Sequence, residues 1–216
     1  MDPGRLFVMR ALATAVDDPE TFGRTVMVGI DGVDGAGKTR FADDLAAVLR
    51  DTGRPVVRVS VDGFHRPAAE RYRLGRHSPV GFFQDSYDYD ALISEVLAPL
   101  SPGGSRLIRT AVRDVTTDTA SDGPAVAVPD DVVLVVDGIF LHRDELHGWW
   151  DTSVFLEVPF VETFRRMAVR DGCPPDPSDP TNARYVEGQR LYLQHRPQER
   201  ATFVIDNSDP RRPVVH

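Results

Sequence analysis

The sequence predicts an α/β domain with a mainly parallel sheet flanked by helices. Apolar runs of strand length alternate with helical segments along the 216 residues, and a glycine-rich loop joins the first such strand to the helix that follows it. Residues 132–136 are continuously apolar, which is typical of a strand buried on both faces of a sheet. With 41% hydrophobic residues the chain can bury one sizeable core. We therefore expect a single domain over residues 1–216.

The expected elements alternate in a regular order. A short helix is expected over residues 4–16, because Arg10 breaks an apolar stretch that is too short for a secretory signal. The first strand covers residues 25–31, and Phe41, Leu45 and Leu49 give the next segment helical periodicity. The remaining strands are expected at residues 55–61, 132–137, 153–158 and 201–206, and the remaining helices at 90–97 and 161–170.

Two stretches interrupt this alternation. Residues 101–131 combine turn residues with alternating apolar positions, which predicts a hairpin insertion. Residues 171–182 contain four prolines and lie between two helical segments, which predicts a mobile loop. We expect this loop to form the tip of a lid region over residues 165–195, and neither stretch to be a separate domain.

The glycine-rich loop carries the most specific chemistry. Its residues match the pattern G-x-x-x-x-G-K-[ST], whose backbone N–H groups wrap a phosphate. Lys38 is the only lysine among 25 basic residues, which indicates a site where arginine cannot replace it. The motif predicts a P-loop NTPase fold, with ATP and Mg²⁺ as cofactors. The expected nucleotide-binding residues are Gly32, Val33, Asp34, Gly35, Ala36, Gly37, Lys38, Thr39 and Arg40.

Carboxylates follow three of the predicted strands. Asp31, Asp62 and Asp137 each stand at a strand end, and in open α/β sheets ligands bind at the carboxyl ends of the strands. We therefore expect the three carboxylates to converge on the triphosphate. Thr39 offers a hydroxyl to Mg²⁺.

Composition excludes several other classes of function. The net charge of −8 argues against a nucleic-acid partner, and no apolar run is long enough to span a membrane. Cys173 is the only cysteine, so an intramolecular disulfide is excluded. The lone lysine also excludes the Asn-Lys-x-Asp motif that reads guanine. We expect a cytoplasmic protein with a small-molecule acceptor, and homo-oligomer formation is left open.

Four segments resemble P-loop small-molecule kinases of the uridine kinase, pantothenate kinase and phosphoribulokinase group. They are residues 59–67, 81–92, 135–140 and 165–171, in the order that the group has them. The resemblance spans most of residues 25–206 and is strongest to uridine kinases. It implies phosphoryl transfer from Mg·ATP to a hydroxyl of a small metabolite, with a nucleoside such as uridine or cytidine favoured.

The same resemblance implies roles for particular residues. Asp62 would be the general base, Lys38 would contact the outer phosphates, and Arg166 and Arg170 would be lid arginines over the transferred phosphate. Thr39 and Asp137 would hold Mg²⁺, Asp137 either directly or through water. The candidate acceptor contacts are Asp62, Phe64, His65, Tyr87 and Tyr89.

Several alternatives stay open at this point. Phe82-Phe83-Gln84 stands where uridine kinases usually have Asp-His-Pro, so pantothenate, a sugar or another small alcohol is an alternative acceptor. Residues 31–35 also resemble thymidylate kinase loops, which suggests a nucleoside monophosphate kinase. A nucleotide-binding regulatory module without catalysis is the alternative from a different class. Asp62 argues against it, because a pure binder does not need a carboxylate there.

Overall fold

The computed structural model describes residues 1–216, apart from the side chain of Pro19. The six strands of its main sheet are β1 (Val26–Gly32), β2 (Val56–Ser60), β7 (Val133–Asp137), β8 (Thr152–Glu157), β9 (Phe203–Asp206) and β10 (Val214–Val215). They lie in the order β10-β9-β8-β1-β7-β2. All neighbouring strands in it are parallel except β10, which pairs antiparallel with β9. The predicted α/β fold is confirmed.

Helices cover both faces of the sheet. They are α1 (Pro3–Ala15), α2 (Pro19–Phe22), α3 (Lys38–Asp51), α4 (Ala68–Arg71), α5 (Pro79–Asp85), α6 (Tyr89–Leu92), α7 (Ala98–Leu100), α8 (Phe160–Asp171), α9 (Ala183–Leu193) and α10 (Pro197–Arg200). A π-helical turn at Ile93–Leu97 joins α6 to α7, and single 3₁₀ turns occupy Val61–Phe64, His147–Trp149 and Pro180–Asn182.

Apolar side chains that alternate between the two faces of the central strands form two apolar layers, one on each side of the sheet. In β7, Val133 and Val135 face the layer that contains α1 and α3, whereas Leu134 and Val136 face the layer that contains α5 to α7 and α9. Successive side chains of a strand point to opposite faces, so a continuously apolar strand is explained by burial on both.

Residues 101–131 form two small antiparallel pairs outside the main sheet. The strands β3 (Leu107–Ile108) and β6 (Val126–Ala127) make one pair, and β4 (Arg113–Asp114) and β5 (Thr119–Ala120) make the other. The backbone of Val112 donates to Gly63 O at 2.8 Å. The insertion is thereby held against the segment that follows β2.

The register of the sheet positions the candidate site. Ile30 of β1 and Ser60 of β2 both pair with Asp137, the last residue of β7. The ends of three neighbouring strands therefore meet at one edge, beside the phosphate loop. Among the described residues, none of the helices combines the length and the apolar character that a bilayer crossing requires.

Candidate active site

The phosphate loop lies between β1 and α3. Gly37 precedes the first helical residue, Lys38, with φ of +90°, and Gly35 has φ of +75°. Both angles lie in the left-handed region that glycine tolerates best. A Cβ at Gly35 would also lie 2.6 Å from the carbonyl oxygen of Thr163 in α8. The sequence needs glycine at position 35 for both reasons.

The loop opens onto a cavity of about 410 Å³. This size lies within the range of small-ligand sites. The cavity is lined by basic side chains of the loop, α3 and α8, and by carboxylates and hydroxyls that were predicted to be functional. They are Lys38, Arg40, Thr39, Asp62, Asp137 and Arg170, together with Asp34, Asp43, Tyr87, Ile139 and the adjoining glycines.

Lys38 is oriented along the loop. Its Nζ donates to the carbonyl oxygen of Val33 at 2.9 Å and lies 4.0 Å from Oδ1 of Asp34. The ammonium is therefore held over the concave side of the loop. An outer phosphate bound there would meet a positive point charge.

Thr39 and Asp137 form the predicted metal-binding pair. The hydroxyl of Thr39 donates to Oδ2 of Asp137 at 2.7 Å. A hydroxyl and a carboxylate are the oxygen ligands that Mg²⁺ prefers, so these residues fit the ion. In the described part of the chain no group of three or more His, Cys, Asp or Glu side chains could hold a metal. A magnesium ion here would take its other ligands from phosphates and water, as it commonly does.

Sequence reasoning missed Arg58, which forms an ion pair with Asp137. Its Nη2 donates to Oδ1 of Asp137 at 2.8 Å, and its Nε donates to Oδ1 of Asp43 at 3.1 Å. Asp137 is almost fully buried, so the guanidinium balances a carboxylate that water does not reach. The available signal was the charge of Arg58 within the otherwise apolar run from Val56 to Val59.

Asp62 also lines the cavity, from the turn that follows β2. The hydroxyl of Tyr87 donates to Oδ1 of Asp62 at 3.2 Å. Burial first, and then the charge of Asp62, raises the pKa of Tyr87 well above its ordinary value. Tyr87 is therefore protonated at neutral pH and serves as a donor. The other oxygen of Asp62 is free to accept a proton.

The other predicted acceptor contacts have different environments. Nδ1 of His65 donates to the carbonyl oxygen of Asp62 at 2.8 Å, and the ring of His65 lies 4.5 Å from the ring of Tyr87. Burial lowers the pKa of His65. Phe64 and Tyr89 are buried in the apolar core and do not line the cavity. Their contact with an acceptor stays a prediction.

Asp31 does not reach the cavity, contrary to expectation. It is fully buried, and its Oδ2 accepts from the backbone N–H of His142 at 3.0 Å and from the hydroxyl of Tyr192. Nδ1 of His142 lies 2.8 Å from the same oxygen, and Nε2 lies 2.9 Å from Oγ of Ser153. Asp31 turns inward because these partners satisfy its carboxylate. It connects the base of the phosphate loop to α9.

The two predicted lid arginines differ. Arg166 donates to the carbonyl oxygens of Gly35, Asn207 and Ser208 at 3.3, 2.9 and 2.8 Å. It thus ties the outer side of the phosphate loop to the segment after β9. Arg170 lines the main cavity and pairs with Asp171 at 2.7 Å. A catalytic role for either arginine stays a prediction.

The expected mobile loop is organised around one side chain. Nδ2 of Asn182 donates to the carbonyl oxygens of Pro174 and Asp176 at 3.0 and 2.9 Å. These bonds close residues 174–182 into a compact turn. Whether the loop moves during the reaction stays a prediction.

Comparisons with known proteins give the site a biochemical context. No protein-family model matches the chain. Nicotinamide riboside kinase 1 of Homo sapiens is 29% identical over 177 residues, which cover 80% of this chain and 77% of that protein. The uridine kinase of Leuconostoc citreum is 24% identical over 154 residues, which cover 68% and 69% of the two chains.

A solved structure agrees with these relatives. The structure of a possible uridine kinase from Bacillus stearothermophilus superposes with a TM-score of 0.71 at 23% identity, and the match covers 93% of this chain and 96% of that one. The chain has the fold of P-loop kinases and is similar in sequence to two of them. The resemblance to the uridine kinase, pantothenate kinase and phosphoribulokinase group is confirmed.

Proposed function

We propose that this kinase transfers the γ-phosphoryl group of Mg·ATP to a hydroxyl of a nucleoside. The observation that carries the proposal is the cavity that Lys38 and Asp62 share, in which we assign a phosphate-binding end to Lys38 and a proton-accepting end to Asp62. The names of the relatives, nicotinamide riboside kinase and uridine kinase, favour a nucleoside as the acceptor.

The two ends divide the reaction between them. At one end the N–H groups of the loop and Lys38 would hold the outer phosphates of ATP. A second cavity of about 340 Å³, which shares Gly35, Arg40 and Arg170 with the first, has room for the rest of the nucleotide. Thr39 and Asp137 would hold Mg²⁺, which neutralises charge on the phosphates.

At the other end Asp62 would act as general base. Its free oxygen takes the proton of the acceptor hydroxyl, the hydroxyl oxygen attacks the γ-phosphorus, and ADP leaves. Tyr87 keeps the carboxylate oriented by donating to its second oxygen. Because phosphoryl transfer depends mainly on positioning and charge, a well-placed base contributes about 10²- to 10⁴-fold.

The test measures ADP release from Mg·ATP with a panel of nucleosides, pantothenate and sugars. We expect turnover with a nucleoside, abolished in Lys38→Ala. Asp62→Asn should lower kcat by about 10²-fold or more and leave ATP binding nearly unchanged, since the amide keeps the size of the carboxylate and can still accept from Tyr87.

Asp122→Asn is the matched control. It removes the same charge from an exposed position in the hairpin insertion and should behave as the wild type. Turnover undiminished in Lys38→Ala would refute the proposal. Weaker ATP binding with normal turnover in Asp62→Asn would place Asp62 among the metal-binding groups instead. ADP release with none of the acceptors would favour a regulatory nucleotide-binding module.

A further inference from the structure

Asp34 places a negative charge inside a loop that binds a polyanion. Its Oδ1 lies 4.0 Å from Nζ of Lys38, and its side chain is 30% exposed on the wall of the main cavity. Phosphate binding by such a loop requires N–H donors and a cation. A carboxylate there repels the nucleotide and partly offsets the charge of Lys38. Its presence therefore needs an explanation other than ATP binding.

The position of Asp34 is fixed from outside the loop. Its backbone N–H donates to Oε1 of Gln189 at 2.6 Å, and Gln189 is fully buried in α9. The next residue, Gly35, packs against Thr163 of α8. The loop is thus held between two helices, and the side chain of Asp34 starts from a fixed point on the cavity wall.

The carboxylate of Asp34 has unused hydrogen-bonding capacity. Neither of its oxygens accepts a hydrogen bond from the described residues, and the contact with Lys38 is longer than a hydrogen bond. Asp62 is close enough that its charge raises the pKa of Asp34, although burial is the larger cause and Lys38 opposes both. Asp34 and Asp62 both line the cavity, which is the space that an acceptor would occupy under the proposed function.

We propose that Asp34 determines acceptor specificity: it accepts a hydrogen bond from a second hydroxyl of the acceptor, and it repels acceptors that carry a phosphate or carboxylate. This inference rests on the proposed function. It selects an uncharged or cationic polyol among the acceptors considered above, and it excludes pantothenate and nucleoside monophosphates. Like charges that face each other discriminate against the wrong ligand, and an unpaired polar group discriminates against an acceptor without its partner.

Two variants separate the two effects. Asp34→Ala removes both the charge and the acceptor atom, whereas Asp34→Asn removes the charge and keeps an oxygen that can accept. The acceptors are used in matched pairs: uridine with 2′,3′-dideoxyuridine, and pantothenate with its uncharged alcohol, pantothenol. The measured quantities are kcat/KM for each acceptor and the affinity for Mg·ADP, with Asp122→Asn as the charge control.

We expect wild type to prefer uridine over the dideoxy compound, and pantothenol over pantothenate, by at least tenfold each. Asp34→Asn should lose only the preference for pantothenol over pantothenate, whereas Asp34→Ala should lose both preferences. Asp122→Asn should keep both. Both Asp34 variants should bind Mg·ADP at least as tightly as wild type. Unchanged preferences, or an equal loss of kcat/KM for every acceptor, would overturn the proposal.

The nucleotide measurement separates this inference from the proposed function. If wild type phosphorylates no acceptor, the proposed function fails, and the affinity for Mg·ADP still tests Asp34. Binding that is tenfold weaker in Asp34→Ala and Asp34→Asn would make Asp34 a nucleotide ligand and refute its role in specificity. The circular dichroism spectrum and unfolding midpoint of each variant establish that it is folded.

Discussion

Replacing Arg58 by methionine should destabilise the protein strongly. The change removes the donor at 2.8 Å from Oδ1 of Asp137 and leaves that carboxylate, 2% exposed, with only the hydroxyl of Thr39. Breaking a buried ion pair by removing one partner costs about 3–5 kcal/mol. Arg58 is itself 17% exposed and Thr39 remains, so we expect a loss at the lower end, about 3 kcal/mol.

The assay is urea unfolding at neutral pH, with equal m-values for wild type and variant as the condition for comparison. Arg58→Lys keeps the charge but not the fork of donors, and it should lose less stability than Arg58→Met. Arg190→Met is the control, because its pair with Glu187 has both side chains at least half exposed and should contribute less than about 1 kcal/mol. If Arg58→Met loses no more stability than Arg190→Met, the ion pair with Asp137 does not stabilise the site.

Two further predictions concern the loop and α8. Gly35→Ala should abolish nucleotide binding and lower stability more than Gly53→Ala. Both glycines have positive φ, but only at Gly35 would a Cβ lie 2.6 Å from the carbonyl oxygen of Thr163. Thermal unfolding measures the stability and titration with Mg·ADP measures the binding, and equal effects of the two substitutions would contradict the steric argument. Hydrogen bonds from Arg165 lower the pKa of Glu162 from 4.5 to about 2. Glu162→Gln should therefore be less stable than wild type near neutral pH, and the difference should disappear as the pH falls from about 4.5 towards 2. A difference in unfolding free energy that does not change with pH would exclude a contribution of the lowered pKa to stability.

Local patterns explain why much of the site was predictable. The phosphate loop is eight contiguous residues, and its strand and helix are fixed by apolar periodicity on either side. Asp62 and Asp137 follow from one general property of parallel sheets, since the carboxyl ends of their strands meet at one edge. The register that pairs Ser60 with Asp137 bears this out. The same reasoning was wrong for Asp31, whose partners it could not identify.

Hydrogen bonds between residues far apart in the sequence account for the features of the site that the sequence did not indicate. Gln189 is 155 residues from Asp34, and His142 is 111 residues from Asp31. Nothing local distinguishes a glutamine that holds the phosphate loop from one on a solvated helix face. The same holds for Arg166, whose guanidinium binds backbone carbonyls of the loop although its i, i+4 spacing with Arg170 also suits a lid.

By itself the sequence determined the fold class, the phosphate loop and the reaction class. These depend on short-range patterns: strand periodicity, glycines at positive φ, and a single lysine among arginines. Only the tertiary structure decided which carboxylates face the cavity. Burial and hydrogen-bond partners turn Asp31 inward, whereas Asp34, Asp62 and Asp137 line the cavity. The direction of a charged side chain depends on which distant donors can satisfy it, and packing alone brings those donors together.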